Sequence, residues 1–97
     1  MGQVGVLVQV AVTPGKFDNL HKCFQEFYQS LGQEAGLEYR QLMLDQDDHS
    51  KIFVFEMWES QKDFENHLAT PQSKKFAEDI KGSYEPGGFV KTLTPIT

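Results

Sequence analysis

The chain has little cysteine, few basic residues and no long apolar run, and each shortage removes a class of function. Cys23 is the single cysteine among 97 residues, so an intrachain disulfide is impossible. Without matching His and Cys spacings, a zinc site is not expected either. Nine Lys and Arg stand against fourteen Asp and Glu, giving a formal net charge of −5. The cations are scattered, and Lys74-Lys75 is their one adjacent pair. A nucleic-acid binder needs a basic face, and an anionic membrane surface asks for clustered cations. Neither nucleic acid nor membrane is therefore an expected partner. No apolar run approaches the ~20 residues that span a bilayer. Met1-Gly2-Gln3 shows no basic segment leading into an apolar stretch, so no secretory signal is expected. No metal motif, phosphate loop or dinucleotide fingerprint is visible; Gly2-Gln3-Val4-Gly5 precedes a strand and does not link strand to helix. The expectation is a reduced, cytoplasmic protein that uses no cofactor and no metal.

What is present reads as a folded domain. Hydrophobic residues make up 39%, charged ones 24% and aromatics 12%, a balance that argues against disorder. The length favours one domain over residues 1–97. Such a domain buries only roughly two-thirds of its unfolded surface, so a partner subunit would add useful stability.

Along the chain, Val4 to Val12 places Val at every even position, the period-two signature of a strand. Thr13-Pro14-Gly15 breaks it. From Lys16 the period changes: Phe17, Leu20, Phe24, Phe27, Tyr28 and Leu31 recur every three or four residues, one apolar stripe on a helix. Gly32 and Gly36 bracket its end. Leu37 to Leu44 is a second strand, and Asp45-Gln46-Asp47-Asp48 is a polar turn into a third, Lys51 to Trp58. Both alternating sets of that third strand are largely apolar, which predicts burial on both faces. In so small a domain, the second face would have to be covered by another copy of the chain.

Ser60 is placed to cap a further helix, with Asp63 at the capping-box position. Phe64, His67 and Leu68 share a face of it. Thr70-Pro71 interrupts, and Pro71 suits the first turn of a new helix. Phe76, Ala77 and Ile80 continue the apolar face to Lys81-Gly82. Phe89 to Leu93 is a short last strand, entered through Pro86-Gly87-Gly88. The order is β-α-β-β-α-β, the α+β ferredoxin-like arrangement.

The residues that could carry chemistry are polar groups in apolar settings. His67 lies on the inner helix face, where it could act as a base or donor near neutral pH, or as a structural histidine. Glu56 interrupts an apolar strand and cannot stay buried unpaired; Arg40 and His67 are candidate partners. Trp58 shares its face and could either pack the core or wall a flat ligand. His21, beside the first helical stripe, could meet them if it points inward. Tyr39 and Tyr84 could supply phenolic hydroxyls. A Ser-His-Asp reading would need geometry that no spacing here provides.

Phe55-Glu56-Met57-Trp58-Glu59-Ser60, then Phe64 to Pro71 with His67-Leu68 ahead of Thr70-Pro71, then Phe76, resembles the antibiotic biosynthesis monooxygenase family, with Gly36 and Tyr39 fitting its lead-in to the second strand. The resemblance covers nearly the whole chain and is greatest to the small quinol monooxygenases, which end similarly after a Lys-Gly pair. It implies a homodimeric α+β barrel with sheets face to face. It also implies oxidation of a small phenolic or quinol aromatic by molecular oxygen, without metal, flavin or haem. His67 and Glu56 would then be catalytic, with Trp58, His21, Tyr39 and Phe64 around the substrate. Other branches of this fold degrade haem or isomerise small phosphorylated sugars. The haem branch carries a tryptophan where His67 stands and an iron-binding histidine near Ala77, so it is not expected. An isomerase of a small polar metabolite, or a ligand-binding dimer without turnover, are the alternatives.

Overall fold

The switch from a period of two to a period of three or four at Lys16 becomes the first strand and first helix of the molecule. The computed structural model describes residues 2–97. Its elements are β1 (Val4–Val12), α1 (Phe17–Leu31), β2 (Leu37–Leu44), β3 (Lys51–Trp58), α2 (Gln61–Leu68), α3 (Pro71–Asp79) and β4 (Tyr84–Leu93). The four strands form one sheet in the order β2-β3-β1-β4, with every neighbouring pair antiparallel. This is the ferredoxin-like α+β arrangement, its second helical segment split in two at Thr70.

All three helices cover the same face of the sheet. The even-numbered valines of β1 point to them, and Val4, Val6 and Val12 are buried there. Ile52, Val54, Glu56 and Trp58 of β3 lie on that face too. From α1 come Leu20, Cys23, Phe24 and Phe27, so the predicted stripe is the one that packs. Burying a large side chain of this kind stabilises by roughly 1.5–3 kcal/mol, which identifies the Leu20, Phe24, Ile52 and Val54 cluster as the main source of cohesion.

One expectation needs correction. The sequence reading starts β4 at Phe89, yet the strand begins at Tyr84. Its pairing with β1 shifts between Gln9 and Ala11, a bulge that absorbs Pro86-Gly87-Gly88. Pro86 is tolerated because β4 is an edge strand. Gly87 has φ +121°, and a Cβ on Gly88 would collide with the Gln9 carbonyl oxygen, so the bulge requires small residues. Within one chain, the helices cover one face of β3. Phe53, Phe55 and Met57 point away from the helices and stay half-buried, beside Tyr39, Met43, Phe89 and Leu93, which are exposed.

Candidate functional site

Helix α2 owes its position to its caps. Ser60 Oγ accepts from the Asp63 backbone N–H at 3.1 Å, and donates to the Asp63 carboxylate at 2.8 Å. At the other end, Thr70 Oγ1 accepts from Ser73 N at 3.1 Å to cap α3, with Pro71 in its first turn. Thr70 Oγ1 and Ser73 Oγ both donate to the His67 carbonyl, at 2.9 and 2.7 Å. The His-Leu-Ala-Thr-Pro stretch is thus a device that anchors His67 at a helix junction. Its imidazole is wedged among Trp58, Phe27 and Phe64, with ring centroids 5.1, 5.7 and 6.4 Å away.

From His67 a chain of polar contacts runs under the aromatic layer. His67 Nδ1 lies 2.6 Å from Glu34 Oε2. Arg40 Nη2 is 2.9 Å from Glu34 Oε1. Arg40 Nε donates to Glu56 Oε2 at 2.8 Å, and Trp58 Nε1 donates to Glu56 Oε1 at 2.9 Å. The pairing of Arg40 with Glu56 follows from sheet register, which sets the two residues directly opposite on β2 and β3. The Arg40–Glu34 approach is close enough for an ion pair but poorly aligned, so neither Nη2 nor Oε1 makes a true hydrogen bond. The Arg40, Glu34, Glu56 and His67 side chains are all about nine-tenths buried.

Charge and burial set the protonation of two members. Burial disfavours the charged Arg40 guanidinium, but Glu56, by charge and hydrogen bond, outweighs it together with Tyr28 and Glu34, so Arg40 is held firmly cationic. The guanidinium sits over the Tyr28 ring, 4.4 Å from its centroid, a cation–π contact. Burial first, then the Glu56 and Glu34 carboxylates against an opposing Arg40, push the Tyr28 phenol well above its usual range. Tyr28 is therefore a neutral hydroxyl at physiological pH.

Above this network, between sheet and helices, is a cavity of about 310 Å³. Val6, Val8, Val10 and Val54 make its floor, and Phe24, Phe27, Tyr28, Phe64 and Phe76 contribute aromatic walls. Among its lining residues, polar side-chain atoms come from Tyr28, Glu56, His67 and Ser73. Val8, Val10, Ile80 and Val90 also border an apolar cleft of about 460 Å³ along β4, so the cavity opens toward that edge.

The residues singled out from sequence separate into three groups. His67, Glu56 and Phe64 line the cavity. Trp58 is fully buried and lies behind His67 and Glu56, where it holds both instead of walling the cavity. His21 packs against Phe17, ring centroids 5.5 Å apart and tilted, in a small depression with Leu42, Met43, Leu44 and Ile52, away from His67. Tyr39 lies on the helix-free face, 6.2 Å from Phe55, and Tyr84 is exposed on the edge strand, bordering the β4 cleft. Glu34 was not anticipated at all. It lies in the α1–β2 connection, 33 residues from His67, and no local pattern marks it. Its neighbour Gly36 offers an indirect signal: φ is +83° and a Cβ there would collide with Asp63 of α2, which shows that this loop packs tightly on α2.

The comparisons agree with this architecture. Residues 3–79 match the model of the antibiotic biosynthesis monooxygenase family. A Caulobacter crescentus structure, provisionally assigned as an antibiotic biosynthesis monooxygenase, superposes with a TM-score of 0.91 at 20% identity, over 99% of this chain and 92% of that one. Rv0793 from Mycobacterium tuberculosis gives 0.88 at 17% identity, over 98% and 96%. SnoaB, a cofactor-independent oxygenase from Streptomyces nogalater, gives 0.85 at 14% identity, over 100% and 96%. No curated protein sequence matches this chain. At such identities the structures establish the fold, and the family model decides membership: the chain belongs to the antibiotic biosynthesis monooxygenase family.

Proposed function

We propose that this protein is a cofactor-independent monooxygenase acting on a quinol or a related phenolic aromatic. The observation that carries the reading is an apolar, aromatic-walled cavity with one imidazole presented to it. A flat ring fits between the valine floor and the phenylalanine walls, and few polar groups compete for its orientation. With Nδ1 engaged by Glu34, His67 offers Nε2 to a substrate hydroxyl as general base.

Proton removal leaves an electron-rich anion able to pass an electron to molecular oxygen. Recombination and loss of water complete the reaction. A quinol and O₂ become a hydroxyquinone and water, one oxygen atom entering the ring and the other leaving as water. All four electrons come from the substrate, so no external reductant is required. The dry lining protects the anion and strengthens its contact with the protonated imidazole.

No lysine or arginine is among the lining residues, which weighs against an isomerase of a small phosphorylated metabolite. The experiment is oxygen uptake with a panel of quinols and phenols, with product analysis. Wild-type protein should consume oxygen and form the hydroxyquinone, and His67→Ala should reduce turnover by about 10²–10⁴-fold. Uptake by wild type no faster than by His67→Ala sinks the reading.

A homodimer that buries the open sheet face belongs to the same proposal. Phe53, Phe55, Met57 and Leu7 stand there as half-buried apolar side chains with no helix over them.

A further inference from the structure

We infer that Glu34 is a positioning residue that fixes the tautomer of His67, and that Glu56 acts through Arg40 to hold Glu34 in place. The chain His67 Nδ1–Glu34–Arg40–Glu56–Trp58 has four successive contacts of 2.6, 2.9, 2.8 and 2.9 Å. It joins the α1–β2 loop, β2, β3 and α2, four segments with no other reason to place charges together. Stability does not account for it. Buried ion pairs seldom outdo apolar packing of similar volume, and here Arg40 Nη2 and Glu34 Oε1 are not even aligned to hydrogen-bond.

The chemistry of the contact at His67 gives the arrangement a purpose. An ionised carboxylate can only accept. A neutral imidazole facing Glu34 through Nδ1 must therefore carry its proton on Nδ1. The lone pair is then on Nε2, the nitrogen left for the cavity. Free neutral imidazole side chains favour the opposite form, with the proton on Nε2, which cannot serve as a base toward the cavity. Glu34 reverses that preference, in the way carboxylates orient histidines at many reactive sites. Glu56 needs no contact with substrate in this scheme. Its two oxygens are occupied by Trp58 and Arg40, and its task is to keep the guanidinium where it can steady Glu34.

The part about base strength rests on the monooxygenase reading; the tautomer itself does not. The test is ¹⁵N NMR of the histidine side chains at a pH where His67 is neutral, with the signal assigned through His67→Gln. The expected wild-type spectrum shows the proton on Nδ1. In Glu34→Ala it should move to Nε2, and in Glu34→Gln, whose amide can accept or donate, a single preference should be lost. Turnover with an active quinol should fall about 10–100-fold in Glu34→Ala, by analogy with other residues that orient a ligand through a second contact, with kcat affected more than KM. Glu34→Asp should recover part of the loss. A wild-type proton on Nε2 overturns the proposal, and this measurement does not depend on the Glu34 variants folding. So does a tautomer unchanged in Glu34→Ala. The expected tautomer shift in a protein that oxidises no quinol would leave the role of Glu34 standing and remove the monooxygenase reading instead.

Discussion

Tyr28 shows how the buried network shapes a single residue. Its ring carries the Arg40 guanidinium on one side, and its hydroxyl sits in surroundings that burial and two carboxylates make hostile to a second negative charge. The folded state therefore keeps the phenol proton to a pH where the unfolded chain, with an ordinary tyrosine near about 10, has released it. Above that pH the unfolded state binds fewer protons than the native state, so stability falls as pH rises. The decline is at most about 1.4 kcal/mol per pH unit from this one group. Urea melts between pH 9 and pH 11, on the order of the tyrosine range, should show that slope in wild type and a shallower one in Tyr28→Phe. Equal slopes would mean that the phenol is not held neutral by the fold. The sequence marks Tyr28 as part of an apolar stripe but is silent on its charged neighbours. Arg40 and Glu56 meet through strand register, and Glu34 through a loop fold. A reading of local spacing sees an odd carboxylate at Glu56, Arg40 as a candidate partner for it and a histidine at His67, but not Glu34, which connects them.

Secondary-structure elements were far more legible, because their signals are local. Period-two valines, an amphipathic stripe, a Ser60 cap and Thr70-Pro71 each act within a few residues of where they stand. What escaped was the β4 bulge, since pairing of Pro86 to Gly88 depends on Gln9, nearly eighty residues away. The α1–β2 loop obeys the same logic. Gly36 adopts φ +83°, and Asp63 occupies the space a Cβ would need; the Gly36 carbonyl also accepts from Glu59 N at 2.7 Å. Gly36→Ala must therefore strain the loop or displace α2. A cost of about 1–3 kcal/mol is expected from the backbone alone, with more from the collision, measured by urea unfolding. Because this loop carries Glu34, the same substitution should lower turnover beyond what its stability loss explains. If Gly36→Ala retains full stability and full activity, the loop is not the support described here.

At the scale of the whole molecule, one face of the sheet is finished and the other is not. On the helix-covered face a packed cluster adjoins the cavity, with Phe24 and Val54 belonging to both. The opposite face presents Leu7, Phe53, Phe55 and Met57 at its centre, with Tyr39, Met43, Phe89 and Leu93 around them. Contiguous apolar surface of that kind marks an interaction site, and a second copy can cover it symmetrically. Phe55 is the informative position. It pairs with Leu7 on one side and Gln41 on the other, at the middle of the patch. In a single chain a lysine there would reach water, so Phe55→Lys should fold. In a dimer it would bury an unpaired charge on each side of the interface, which is strongly unfavourable. Light scattering at micromolar concentration should therefore return twice the chain mass for wild type and the single-chain mass for Phe55→Lys. The variant should also lose the concentration dependence of its melting temperature that mass action imposes on a dimer. A monomeric wild type would show that no second copy covers the open face, and a dimeric Phe55→Lys would move the interface off this face. The His67–Glu34 contact lies within one chain, so a folded Phe55→Lys monomer should keep the His67 tautomer while losing the dimer, which separates assembly from the tautomer.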